Sequence, residues 1–167
     1  MRAIGHRRNA VIVAATAIAA ALLVAPSLIV NVTPSVPLGL YWSHHRAAVR
    51  GDFVLIAPPP HLRNLAIGRD YLRRDQYLLK RVAAVEGDHV CRHLLSVWIN
   101  SHIRVWARRN DASGRVLPVW FGCRELTGDE LFVLGDLPAS FDSRYFGPVL
   151  RSDVTAVATP LWIWQAD

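Results

Sequence analysis

Leu78-Leu79-Lys80-Arg81-Val82-Ala83-Ala84-Val85-Glu86-Gly87-Asp88 reads as a buried β-strand closed by a turn. Residues 77–85 form an apolar run of strand length, and Gly87-Asp88 ends it. In a strand, Leu78, Lys80, Val82 and Ala84 share one face while Arg81 points to the other. One cation is thereby set among aliphatic neighbours. It is the chain's single lysine, against nineteen Lys and Arg residues in all. A guanidinium keeps its proton at any working pH, whereas burial among apolar groups strips an amine and turns it into a base. Codon bias explains a lone lysine equally well, so the chemical reading needs a partner for Lys80.

Outward from this strand the texture stays short and strand-like. Gly51-Asp52-Phe53-Val54-Leu55-Ile56-Ala57 is a strand stopped by Pro58-Pro59-Pro60. Val97-Trp98-Ile99 and Ile103-Arg104-Val105-Trp106 alternate around Asn100-Ser101-His102 as a hairpin. Leu131-Phe132-Val133-Leu134 and Val154-Thr155-Ala156-Val157-Ala158 complete the set, with a few helical turns placed around 61–75. With no internal repeat or low-complexity segment, the region 31–167 is expected to be one mainly-β domain, with an inserted lobe at about 91–124.

The N-terminal part differs. Residues 10–30 carry no charge and match the roughly 20 residues a helix needs to cross a bilayer. Arg2, Arg7 and Arg8 precede them, so the positive-inside bias leaves 1–9 in the cytoplasm and sends 31–167 outside; Arg46 and Arg50 weaken that vote slightly. Ala19-Ala20-Ala21 offers the competing reading of a cleaved signal peptide, but the apolar stretch is long for a signal core. Pro26 kinks or ends the helix. Formal net charge is +6, yet the arginines are scattered in ones and twos without a basic run or a ribonucleoprotein-type aromatic pattern. Anionic headgroups of the lipid bilayer suit this charge better, and no nucleic-acid partner is expected.

Two further segments carry reactive groups. In Thr33-Pro34-Ser35-Val36-Pro37 the prolines hold Ser35 in an extended or turn conformation; a rigid linker leaving the membrane is the bland alternative. The stretch 134–148 packs Asp136, Ser140, Asp142, Ser143 and Arg144 into a loop between strands, where Asp142 and Arg144 can also simply pin a turn. Cys91 and Cys123 lack paired CxxC spacing, so a disulfide is preferred over a metal site involving His89 or His93. His44 and His45 have no acid at triad spacing, and Trp162 and Trp164 face one side of a strand, toward the bilayer or the core.

Taken in order, Thr33-Pro34-Ser35-Val36-Pro37, Gly51-Asp52-Phe53-Val54, Lys80-Arg81-Val82 with Gly87-Asp88, and Gly135-Asp136 with Ser140-Phe141-Asp142-Ser143-Arg144-Tyr145-Phe146-Gly147 resemble the boxes of the type I signal peptidase family, peptidase S26. The likeness is greatest to its TraF-like branch, the conjugative transfer signal peptidases, and extends from residue 10 to about 150. It departs from the general leader peptidases where proline stands second after Ser35, where Leu137 follows Gly135-Asp136, and in a shorter loop to Ser140. These departures fit the TraF-like branch.

The resemblance implies a signal-peptidase-like antiparallel β domain behind one N-terminal transmembrane helix in the bacterial inner membrane, with the domain on the periplasmic side. It implies a Ser/Lys dyad and no cofactor or metal. Ser35 would attack the scissile carbonyl while neutral Lys80 takes its proton; a pKa near 8 in place of ~10.4 costs roughly 3 kcal/mol. The Ser35 N–H and Thr33 hydroxyl would be the oxyanion donors, Ser140 would aim the amine, and Asp142 and Arg144 would hold the loop. The implied substrate is a membrane-bound precursor protein, namely a pilin precursor of a conjugative or type IV secretion system, with product cyclisation in some members and contact with the secretion or conjugation machinery. A general leader peptidase for secretory preproteins and an inactive anchored scaffold subunit remain as alternatives.

Overall fold

The structure, a computed structural model, describes residues 27–164. Strands β1 (Leu28–Asn31) and β2 (Gly39–His44) form a hairpin around Ser35. Strand β3 (Phe53–Ile56) ends just before the three prolines, and the third of them opens helix α1 (Pro60–Gly68), where a missing N–H costs nothing. There follow β4 (Leu78–Ala84), β5 (His89–His93), β6 (Ser96–Ile99), β7 (Ile103–Trp106), β8 (Gly122–Glu125) and β9 (Glu130–Leu134). The single-turn helix α2 (Ser143–Phe146), β10 (Val149–Leu150) and β11 (Val154–Ile163) close the chain.

Two antiparallel sheets result, in strand orders β1-β2-β11-β3-β4-β9-β10 and β7-β6-β5-β8. The smaller sheet, between His89 and Glu125, includes the segment expected to be inserted at 91–124. Its β6–β7 hairpin turns at Asn100 and Ser101, both at positive φ, a conformation Asn tolerates through its short polar side chain. Cys91 and Cys123 face each other across β5 and β8 and are disulfide-bonded.

β4 is central to the larger sheet and buried on both faces. Leu78 and Val82 pack into the main core with Val54, Leu131 and Val133, while Leu79 turns to a second cluster with Val36, Tyr41 and Phe53. A register shift between Val82 and Ala84 breaks the expected alternation: Ala84 pairs with Phe132 and packs with it under the small sheet.

The expected transmembrane helix at 10–30 lies largely outside the described residues. Its last three positions are corrected: Leu28, Ile29 and Val30 belong to β1, paired with Trp42, Tyr41 and Leu40. Apolar residues continue past Pro26, so hydropathy alone does not separate the expected helix from a β-branched strand. Among the described residues no helix is long and apolar enough to cross a membrane.

Candidate active site

Ser35 sits on the turn between β1 and β2. Pro34 and Pro37 have no N–H, so backbone bonds alone cannot close this turn. Asn31, buried at the end of β1, does it instead. Its amide donates to the carbonyls of Thr33 (2.9 Å), Val36 (3.1 Å) and Pro37 (3.0 Å), and its oxygen accepts the Thr33 N–H (3.1 Å) and hydroxyl (2.9 Å). The Tyr41 hydroxyl donates to the Pro37 carbonyl at 2.6 Å. Thus held, Thr33 Oγ1 and Ser35 Oγ lie 3.5 Å apart at the surface of the turn.

Lys80 is 3% exposed, on the same face of β4 as Leu78 and Val82. Its Nζ donates to Ser140 Oγ at 2.9 Å. Burial pushes its pKa down to about 8; Asp142 and Asp136 pull it up and Arg144 presses it further down. Arg81 points the other way, its guanidinium 4.2 Å from the Phe53 ring centre and 3.5 Å from Asp136.

The loop that carries Ser140 is built on a buried ion pair. Asp142, fully buried, accepts from the Gly135 N–H (2.8 Å), the Arg144 N–H (3.0 Å) and the Arg144 guanidinium (2.9 and 2.5 Å), and it caps α2. Arg144 in turn donates to the carbonyls of Gly135 (2.9 Å) and Leu137 (2.8 Å). Both Asp142 oxygens and the Nε and Nη2 of Arg144 have partners, which offsets the cost of keeping two charges out of water. Gly135 is required by space: a Cβ there would stand 2.0 Å from Ser140 Oγ and 2.8 Å from the Ser35 carbonyl oxygen.

The Asp136 N–H donates to the Ser35 carbonyl at 2.6 Å. In sheet order β2 and β9 are four strands apart, about 19 Å in a flat sheet. The sheet therefore coils until its β9 end meets the β1–β2 turn. Between them opens a cleft of about 540 Å³ that is lined by Thr33, Ser35, Lys80 and Ser140 and walled by apolar groups such as Ile29, Leu72, Leu78 and Leu117.

Thr33, Ser35, Lys80 and Ser140 thus share one cleft, with Asp142 and Arg144 behind it. Among the described residues no hydrogen bond joins Ser35 Oγ to Lys80 Nζ. Reading the sequence missed Asn31 and Tyr41. An asparagine directly after an apolar run was the available signal, but its role depends on the turn folding back over it.

The chain is thus a mainly antiparallel β domain that presents a serine and a buried amine in one cleft. Residues 5–164 match the family Signal peptidase, peptidase S26, and the chain belongs to that family. Relatives include a plasmid transfer protein TraF of Escherichia coli, 34% identical with 81% of this chain and 82% of that protein covered. A conjugal transfer protein TraF of Agrobacterium tumefaciens (strain 15955) is 31% identical, covering 96% of this chain and 98% of its own length. A solved signal peptidase I from Enterococcus faecalis V583 is 23% identical with a TM-score of 0.40, covering 68% of this chain and 98% of that one.

Proposed function

We propose that this chain is a membrane-anchored serine endopeptidase in which Ser35 is the nucleophile and Lys80 the general base. The observation that carries the reading is the buried Lys80 amine, held on Ser140 in the cleft that also presents Ser35. In the mechanism, Lys80 Nζ takes the Ser35 hydroxyl proton as Oγ bonds to the scissile carbonyl carbon. The Ser35 N–H stabilises the oxyanion, joined by the Thr33 hydroxyl when its one proton turns from Asn31 Oδ1; collapse expels the amine, which leaves with the proton from Lys80. An acyl-enzyme on Ser35 remains. Water resolves it to a free carboxylate, or the substrate's own amino terminus resolves it to a cyclic product, with the same acid–base cycle.

The substrate is a precursor protein exported across the bacterial inner membrane, specifically a pilin precursor of a conjugative system. The relatives named plasmid or conjugal transfer proteins support this choice. An apolar segment at 10–30 would tether the site at the periplasmic surface, where a membrane-bound precursor meets it at high effective concentration. Mass spectrometry of a co-expressed pilin precursor tests the proposal, in membranes carrying the native chain, Ser35→Ala or Lys80→Arg. Trimming by the native chain alone is expected, and a product one water lighter than the linear peptide marks cyclisation. Native-rate trimming by Ser35→Ala would remove the proposed chemistry, and trimming of unrelated secretory preproteins at equal rate would point to a general leader peptidase.

A further inference from the structure

Arg92, on β5 of the small sheet, is 2% exposed, and among the described residues no carboxylate pairs with it. Its Nε donates to the Leu94 carbonyl (3.1 Å), its Nη1 to the carbonyls of Pro118 (3.4 Å) and Arg144, and its buried Nη2 has no partner. A guanidinium withdrawn from water without an anion is costly, and an apolar side chain would pack there more favourably. The fold keeps it at one particular place. The Arg144 carbonyl lies in α2, a single turn whose free carbonyls carry partial negative charge. The Tyr145 ring lies 6.0 Å from the guanidinium. Beside it, Trp120 Nε1 donates to the Ser143 carbonyl at 2.9 Å.

Arg92 lies on the small sheet and Trp120 in the segment that leads into β8, and both are near the sheet's disulfide in sequence. Arg92 follows Cys91 directly, Trp120 precedes Cys123 by three residues, and the bond joins β5 to β8 at their paired register. The opposite end of α2 is its Asp142 cap, two residues after Ser140, whose hydroxyl takes the Lys80 hydrogen bond. The turn's own backbone bonds are few, Tyr145 and Phe146 N–H to the Asp142 carbonyl and Gly147 N–H to the Ser143 carbonyl, too short a ladder to hold it alone. It is held from the Asp142 end by the large sheet and from the carbonyl end by Arg92 and Trp120.

We infer that Arg92 is a positioning residue for Lys80: it anchors α2 from the small sheet, together with Trp120 and under the constraint of Cys91–Cys123, and so sets Ser140 against the amine. Its consequence for cleavage rests on the proposed Ser35/Lys80 chemistry, but the positioning can be read without substrate.

The full chain, labelled with ε-¹⁵N-lysine in detergent micelles, has one lysine and gives one side-chain amine signal, which is titrated in the native chain, Arg92→Met and Trp120→Phe, and in Arg92→Lys beside the second signal that the new lysine adds. Asp142, Arg144 and Asp136, the charged groups around Lys80, stay in every variant. Loosening α2 lets water reach the amine. Arg92→Met is expected to move the Lys80 midpoint up by about one pH unit, which lowers free amine and kcat at pH 7 about tenfold with KM unchanged. Arg92→Lys, which still reaches the Arg144 carbonyl, recovers most of the loss, and Trp120→Phe shows a smaller shift. Reducing the disulfide shifts the native signal in the same direction and adds nothing in Arg92→Met.

An unmoved signal in folded Arg92→Met, no recovery in Arg92→Lys, or an additive effect of reduction overturns the inference. If Arg92→Met does not fold, an unmoved signal in both Trp120→Phe and the reduced native chain does so. Failure of the peptidase reading looks different: Ser35→Ala then trims as the native chain does, or neither trims, while the amine signal still judges Arg92.

Discussion

Lys80 is where the structure makes its most exposed commitment. With a midpoint of about 8 the amine is free in roughly one molecule in eleven at pH 7, against about 0.03% for a lysine at its ordinary value, a gain of about 300-fold. The depression corresponds to roughly 3 kcal/mol of disfavoured ammonium, with burial as the main cause. Because the chain holds a single lysine, ε-¹⁵N labelling reads this one group without assignment. The perturbation is pH, with Lys80→Arg as the companion that keeps a cation and removes the base. We expect the amine signal to titrate near 8, and kcat/KM on a precursor peptide to rise about tenfold per pH unit and level off at the same midpoint. Lys80→Arg should lose on the order of 10²- to 10⁴-fold in kcat at every pH. A signal titrating above 10, or a kcat/KM profile flat from pH 6 to 8, would refute the reasoning that burial makes this lysine a base.

The same group sets a stability signature. The folded midpoint lies below the unfolded one, so from about pH 8 to about 10.5 the unfolded chain binds the extra proton, and native stability rises with pH across that window. Lys80→Met should therefore be more stable than the native chain by up to roughly 3 kcal/mol below pH 8, with the difference fading toward pH 10.5 in paired denaturant titrations. Thr33→Val removes one oxyanion donor and should lower kcat about 10²- to 10³-fold with KM little changed in steady-state kinetics. Gly135→Ala places a methyl 2.0 Å from Ser140 Oγ and should abolish trimming while circular dichroism still reports a folded β domain. Asn31→Ala unties the Ser35 turn; a loss of about 2–3 kcal/mol of stability and most of the activity is expected, and native values for both would remove the turn-closing role given to Asn31.

The local grammar of the chain was legible because its signals are local. The stops at Pro58-Pro59-Pro60 and Gly87-Asp88, the hairpin around Asn100-Ser101 and the face that Lys80 shares with Leu78 and Val82 all follow from neighbours a few residues away, and the disulfide preference for Cys91 and Cys123 from the absence of paired CxxC spacing. The family was legible too, because its boxes stand in order along the chain. Two readings failed for want of tertiary information. Ala84 left the Lys80 face because β9 inserts no matching residue opposite the bulge, and residues 28–30 became strand because β2 was there to pair with them.

By itself, then, the sequence determined β3, β4, β6, β7, β9 and the start of β11, and which serine and lysine stand in unusual settings, as consequences of side-chain shape, proline geometry and alternation; β1, β2, β5, β8, β10 and the length of β11 were not read from it. That Ser35 and Lys80 line one cleft was decided by the coiling of the seven-stranded sheet, which brings the Asp136 N–H to within 2.6 Å of the Ser35 carbonyl. The depressed amine needed the same step: desolvation is a property of what surrounds Lys80 in space, and Ser140, Asp142 and Arg144 reach it from about sixty residues away in the chain only once β4 and β9 have paired.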